Sequence, residues 1–379
     1  MRAIQRPIGV DLFSGAGGMS LGFEQAGVNV VAAFDSDPIN VDTHSRNFPH
    51  CATRKADLSS ASGEELRELA ALGDLEIDIV FGGPPCQGFS EMGRRRPDDP
   101  RNQLICHFAR LVSELKPSYF VLENVEGLLF EAAKQLRENC LRLLERSGYD
   151  FIDPPRLLDA SDFGIPQKRE RVFILGCRKA LSRPRYPRAD FSDLEAGNPP
   201  RVVVWDAIGD LPNIDRFGYL IESDLFVGEL RQGTPYARIL RGEVRDPEDR
   251  SLPRRPKTEG LSGCARIMHS PEVTRRFRET PQGASEKISR YYRLPKTGLA
   301  RALRAGTPRS HGSYTAARPI HPIHPRCVSV REGARLQSFP DWFQFHPTKW
   351  HGFRQVGNAV PPLLARRVAR EIAKVLASG

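Results

Sequence analysis

No stretch of this 379-residue sequence approaches the roughly 20 apolar residues that span a bilayer, and Asp11 interrupts the first apolar run before a secretory core can form. Neither a membrane protein nor an exported one is expected, and the cytoplasm is the compartment that fits. The cysteines lack any pairing pattern: Cys51, Cys86, Cys106, Cys140, Cys177, Cys264 and Cys327 are odd in number and far apart, with no Cys-x-x-Cys. That argues against a zinc ribbon and a secreted disulfide framework, and leaves a functional cysteine to work as a free thiol. Internal repeats, low-complexity tracts and the Lys-Ser/Thr ending of a P-loop are missing too. His321 and His324 flank a proline that favours an extended chain, so a turn is expected there and no metal site.

What the chain has in excess is positive charge, with 56 Lys+Arg against 46 Asp+Glu, a net +10 and a pI near 9.4. The excess is uneven. Residues 1–180 hold 22 basic and 26 acidic side chains, whereas 181–320 hold 25 and 17, and 321–379 hold 9 and 3. A basic second half points to a polyanionic partner, and nucleic acid is the commonest one. The length suits one large domain plus a second, each with its own core.

Short apolar runs at Ile8–Phe13, Val28–Phe34, Ile77–Phe81, Tyr119–Leu122 and Val172–Leu175 read as strands. Helical patterns lie between them, as in Glu131–Ser147, where Leu136, Cys140, Leu143 and Leu144 share a face and Gly148 stands at the C-cap. This alternation predicts a doubly wound α/β domain with a mostly parallel sheet. The rhythm breaks in residues 181–320, which hold 14 of the 31 prolines and read as a separate, irregular, basic domain. Helices return at Val328–Phe339 and Pro361–Ala377.

Four features carry chemistry. Val10-Asp11-Leu12-Phe13-Ser14-Gly15-Ala16-Gly17-Gly18 joins the first strand to a helix at Ser20–Ala26, and its glycines allow a tight turn and close approach of a nucleotide-like ligand. Asp35, about 20 residues on, suits a ribose diol, and Asp57 could accept from an adenine amine. Phe81-Gly82-Gly83-Pro84-Pro85-Cys86-Gln87-Gly88-Phe89-Ser90 leaves the fourth strand at its carboxyl edge, with a rigid tetrad that would project the Cys86 thiol into a cleft. Glu123-Asn124-Val125 closes the next strand, where a half-buried carboxyl could act as a proton donor or simply cap a helix. In Gln167-Lys168-Arg169-Glu170-Arg171 the two arginines share one face of an extended segment, which on its own also suits a solvated strand edge.

In this order the four features resemble the DNA cytosine-5 methyltransferases. The resemblance covers about 240 residues and continues in Arg331-Glu332-Gly333-Ala334-Arg335-Leu336-Gln337-Ser338-Phe339-Pro340, similar to that family's ninth motif, and in Gln355-Val356-Gly357-Asn358-Ala359-Val360-Pro361-Pro362, similar to its tenth. It implies a Rossmann-like S-adenosylmethionine-dependent domain built from residues 1–184 plus 316–379, and a smaller basic target-recognition domain at 185–315. It also implies that Phe13, Gly15, Gly17 and Gly18 wall the cofactor pocket, with Asp57 at the adenine, Pro84 and Leu104 lining it and Asn358 closing it. Asp35 stands where the family usually has glutamate. Cys86 would attack C6 of a flipped cytosine, Glu123 would act at N3, and Arg171 with Arg169 would hold O2; the final base could be a water. Gln87–Arg101 would be a mobile catalytic loop, in which Ser90 and Arg94-Arg95-Arg96 meet the DNA.

The implied partner is double-stranded DNA, and family analogy adds a restriction endonuclease acting on the same site, with the enzyme itself a stand-alone bacterial monomer associated with the nucleoid. An RNA methyltransferase of the same family is the nearest alternative, disfavoured by the basic insert of roughly 130 residues, 185–315, that lies between the Arg171 strand and the ninth motif. A catalytically silent DNA-binding relative would have little need of Cys86, Glu123 and Arg171 together. A nicotinamide oxidoreductase would not explain Pro-Pro-Cys, and amino-group DNA methyltransferases carry an Asp/Asn-Pro-Pro-aromatic tetrad instead.

Overall fold

Ile-Gly-Val-Asp-Leu, Ile-Val-Phe-Gly and Tyr-Phe-Val-Leu-Glu-Asn are almost wholly buried segments, the pattern of parallel strands covered on both faces. The computed structural model describes residues 6–85, 103–191, 199–254, 259–306 and 318–378. Its strands are β1 (Ile8–Leu12), β2 (Asn29–Asp35), β3 (Ala52–Lys55), β4 (Ile79–Gly82), β5 (Tyr119–Asn124), β6 (Tyr149–Phe151), β7 (Arg156–Asp159), β8 (Gln167–Lys168), β9 (Glu170–Arg178) and β10 (Ala300–Arg301). Eight of them form one sheet in the order β3-β2-β1-β4-β5-β9-β6, with β7 also beside β9. The first five are parallel and β9 runs antiparallel to β5.

Alternate residues of each strand feed two layers, as the period of two requires. Ile79, Phe81, Tyr119 and Val121 face α1 (Gly18–Gln25) and α11 (Pro362–Ser378). Val80, Phe120 and Leu122 face α3 (Gly63–Leu69), α4 (Leu104–Leu115) and α5 (Lys134–Arg146). In α4, Ile105, Phe108, Leu111, Val112 and Leu115 make one buried stripe. Helix α5 is shorter than the 131–147 span that the sequence suggests, because a 3-10 turn at Glu131–Ala133 precedes it, and Gly148 follows it at φ +87°. Helix α2 (Pro38–Asn47) is capped by the Asp37 carboxylate.

The described residues of the proline-rich segment form three short α-helices, α6 (Val204–Ile208), α7 (Pro235–Leu240) and α8 (Pro271–Glu279), with 3-10 turns at Ile214–Arg216 and Gly218–Ile221 and the two-residue strand β10. Val204, Ala207, Ile208 and Leu220 share a core cluster with α9 (Val330–Leu336), so this segment is anchored on the sheet domain by apolar packing. The Arg254–Glu24 ion pair and a 2.5 Å contact from Arg366 to Asp246 fix it at a second place. Helix α9 begins with a capping box between Ser329 and Glu332 and stops short of Phe339, where Ser338 takes φ +63°. Helix α10 (Lys349–Asn358) was not expected, since the apolar periodicity there is weak. No described helix is long and apolar enough to cross a membrane.

Candidate active site

The sheet order reverses direction between β1 and β4, and the crevice outside the carboxyl ends of those strands is where open α/β sheets bind ligands. Residues 13–18 turn across this crevice. Phe13, Gly15 and Gly17 all have positive φ, and a Cβ on Gly17 would come within 2.3 Å of the Phe48 ring. A Cβ on Gly82 would lie 1.9 Å from the Leu12 carbonyl, so only glycine lets the two strand ends close to this distance. The Asp35 carboxylate accepts from Gly15 N and Asp37 N, both at 2.8 Å, and thereby ties the end of β2 to the turn. Burial raises its pKa, against those hydrogen bonds. Asp57 is exposed beside α3, and the Ser59 hydroxyl, donating at 2.7 Å, lowers its pKa.

Below the turn lies a polar chain that the sequence reading missed. Ser20 Oγ donates to Asp11 at 2.6 Å and meets His44 Nε2 at 2.9 Å, while His44 Nδ1 meets Thr53 Oγ1 at 2.7 Å, and all four residues are buried. Burial pushes Asp11 up to about 8 and His44 down to about 3. The signal was there in sequence, as an aspartate set inside the apolar run of β1.

At the carboxyl ends of β4 and β5, Glu123 is buried and Arg171, on the antiparallel neighbour β9, places Nε 3.0 Å from its Oε1. Burial raises the Glu123 pKa, opposed by Arg171 and then Arg169. The backbone of Gly83 runs against this carboxyl, since a Cβ there would sit 2.7 Å from Glu123 Oε2. Asn124, which its sequence position gave no role of its own, donates to the Pro84 carbonyl at 2.9 Å. Pro84 is buried, Pro85 is exposed, and Leu104 is half-buried at the start of α4.

Arg169 is 1% exposed and points elsewhere. Its Nη1 donates to the Leu303 carbonyl at 3.0 Å and its Nη2 to the carbonyls of Gly357 and Ala359, both at 2.9 Å. The two arginines do not share a strand face, because Arg169 sits in the one-residue break between β8 and β9; Arg171 turns toward Glu123 and Arg169 toward the turn after α10. That turn adjoins the glycine-rich one, because a Cβ on Gly18 would lie 2.3 Å from the Val360 carbonyl. Gln337 Nε2 donates to Val356 O at 2.5 Å, and Asn358 is exposed at the end of α10. Arg331 and Arg335 are fully buried ties, the first to Ser262, Pro340 and Phe343, the second to Asp210 and Asp341.

Cys86, Ser90, Arg94, Arg95 and Arg96, with the rest of Gln87–Arg101, lie outside the described residues. Among the described residues no cluster of three or more His, Cys, Asp or Glu could hold a metal ion.

The chain belongs to the C-5 cytosine-specific DNA methylase family, whose model matches residues 9–374. It is a DNA cytosine-5 methyltransferase with that family's α/β fold. It is 47% identical over 371 residues to the Type II methyltransferase M.XorII of Xanthomonas oryzae pv. oryzae, covering 98% of this chain and 85% of that one. It is 31% identical over 426 residues to the Type II methyltransferase M.AgeI of Thalassovita gelatinovora, covering 96% and 98%. The crystal structure of a prophage-encoded E. coli protein superimposes with a TM-score of 0.78 at 35% identity, covering 98% and 99%. The Dnmt2 methyltransferase of S. pombe, at 17% identity and a TM-score of 0.56, shares the fold.

Proposed function

We propose that this enzyme methylates C5 of one cytosine within a specific duplex DNA sequence, using S-adenosylmethionine and a transient covalent bond from Cys86 to C6. The observation that carries the reading is the Glu123–Arg171 pair, buried at the sheet's carboxyl edge beside the Gly83-Pro84-Pro85 segment that leads into Cys86.

The donor set fits the cofactor. The turn at Phe13–Gly18 leaves open space beside Gly15, where a Cβ would meet nothing within 4 Å, Asp35 keeps acceptor capacity for a ribose diol beyond its two backbone bonds, and Asp57 is exposed for an adenine amine. Pro84, Leu104 and Asn358 would complete the walls. When bound, S-adenosylmethionine supplies an electrophilic methyl group.

Cytosine C5 is a poor nucleophile, and addition of the Cys86 thiolate at C6 would load electron density onto it. Glu123, kept protonated more readily by burial, would hydrogen-bond or protonate N3, so that the ring accepts the thiolate. Arg171 would hold the cytosine O2. Arg169 would support the pocket from behind by fixing the turn at Gly357–Ala359. Loss of the C5 proton to water and expulsion of the Cys86 thiolate would complete the cycle. The base must first leave the stack, at a cost of a few kcal/mol, and the Gln87–Arg101 loop with Ser90 and Arg94–Arg96 would compensate by gripping the strand.

Residues 185–315 would form the target-recognition domain, whose arginines contact phosphates and guanine edges. Likeness to Type II methyltransferases supports a role in the cytoplasm of a bacterium, as a monomer protecting sites shared with a separate restriction endonuclease. Bisulfite sequencing of a random-sequence duplex library tests the reading. Protected cytosines in one context with wild type and none with Cys86→Ala is the expected result; no protection with either refutes it.

A further inference from the structure

Buried guanidinium groups in this protein nearly always reach a partner. Arg169, Arg254, Arg276, Arg326 and Arg366 each leave a nitrogen covered and unpaired, but each uses another for a carboxylate or a carbonyl, and Arg266 Nε still stands 3.7 Å from the Asp215 carboxylate. Arg318 differs. Its Nε and Nη1 are covered without any acceptor, and it makes no hydrogen bond or ion pair with any described residue. Only the Phe353 ring lies beneath it, 6.0 Å from the guanidinium carbon, at the limit of useful cation–π attraction.

Its surroundings increase the imbalance. Lys349, half-buried at the first position of α10, donates to the Arg266 carbonyl at 2.6 Å and has no carboxylate partner among the described residues. Phe353, the ring beneath Arg318, stands one helical turn after Lys349 on α10, and burial and then Arg318 lower the Lys349 pKa. His269 accepts from Cys327 N through Nε2 and is likewise held neutral by burial and then by Arg318. The nearby acids are engaged, Asp215 by Arg266 and Arg326, and Glu332 by Arg326 at 2.8 Å. Like charges gathered in a half-dry place without a counter-charge are unfavourable unless an anion arrives.

We propose that Arg318 and Lys349 form a seat for one backbone phosphate of the DNA substrate, using side chains other than Glu123 and Arg171. The proposal rests on the duplex-DNA reading above. A phosphate oxygen supplies the acceptors that the guanidinium lacks, and a cation held only by a ring face can turn to meet it. Such a contact fixes the position of the duplex without reading its sequence.

The test is fluorescence anisotropy with labelled target and non-target duplexes over a salt series, for wild type, Arg318→Gln and Lys349→Gln. Each variant should bind about tenfold more weakly at low salt, equally for both duplexes, and lower the slope of log affinity against log salt by about 1. Melting temperature should hold for Arg318→Gln, which gives up no hydrogen bond or ion pair with a described residue, whereas Lys349→Gln also loses the Arg266 carbonyl and is read by its salt slope. A methylphosphonate scan provides the second arm: one neutral linkage should weaken wild type and leave Arg318→Gln indifferent. An unchanged salt slope, a loss confined to the target duplex, or no such linkage overturns the proposal. If wild type binds no duplex at all, the functional reading itself fails.

Discussion

Replacing Arg169 by methionine keeps the length of the side chain and removes its donors. Three carbonyls, those of Leu303, Gly357 and Ala359, then lose a charged partner at 2.9–3.0 Å. Hydrogen bonds to charged groups contribute about 1.5–3 kcal/mol each, a gross loss of roughly 6 kcal/mol. Against this, the variant no longer holds a guanidinium out of water and beside Arg171, both of which oppose its charge. A net loss of about 3 kcal/mol in unfolding free energy is expected, read by urea denaturation. Because the freed carbonyls belong to the turn beside Gly18 and Val360, cofactor affinity measured by calorimetry should fall roughly tenfold, equivalent to about 1.4 kcal/mol. Arg171→Met should do the opposite, sparing cofactor binding and cutting turnover to a small residual rate. An Arg169→Met protein with wild-type stability and cofactor affinity but no turnover would refute the division of labour between the two arginines.

Arg171 lowers the Glu123 pKa against burial, so Arg171→Leu should raise it and move the basic limb of the residual single-turnover pH profile upward; a downward shift would contradict the pairing. Asp11, raised by burial to about 8, favours folding when protonated, and that stability is lost as pH rises from near 4 through 8. Asp11→Asn should therefore flatten the fall in urea-derived stability between pH 5 and 8.5. Burial would raise Glu332, but Arg326 outweighs it and holds the carboxyl at about 2. Glu332→Gln should lose about 3–5 kcal/mol at pH 7, measured by thermal melting, and wild type should lose this contribution as pH falls from about 4.5 through 2.

The central strands were legible because a buried parallel strand is a continuous apolar run, and the structure moves their ends by only one or a few residues. Val172–Leu175 grew into a nine-residue strand because Glu170 and Arg171 continue the ladder with β7, a pairing that no local pattern announces. Helix α10 was hidden because a mixed-polarity segment buried on several sides has no clean amphipathic stripe. Glu123 and Arg171 were found from motif position, and their adjacency follows from β5 pairing with β9. The direction of Arg169 was not legible, since its partners are backbone carbonyls from residues more than 130 positions away. The Asp11–Ser20–His44–Thr53 chain was equally hidden, being a tertiary contact among residues that look ordinary one at a time.

Helix α1 is buried along its whole length, and much of its cover comes from α11, where a Cβ on Gly22 would collide with Ala365 and the Pro362 carbonyl. Most of the chain separates the two. During synthesis the glycine-rich turn therefore emerges well before α11 and waits, with an apolar helix face uncovered, until α11 has left the ribosome. A chain that stalls inside the basic segment carries Cys86, Glu123 and Arg171 but no wall behind α1. The order of translation thus withholds a finished pocket from every partial product, and unfinished copies should be targets for chaperones and proteases long before they could bind cofactor.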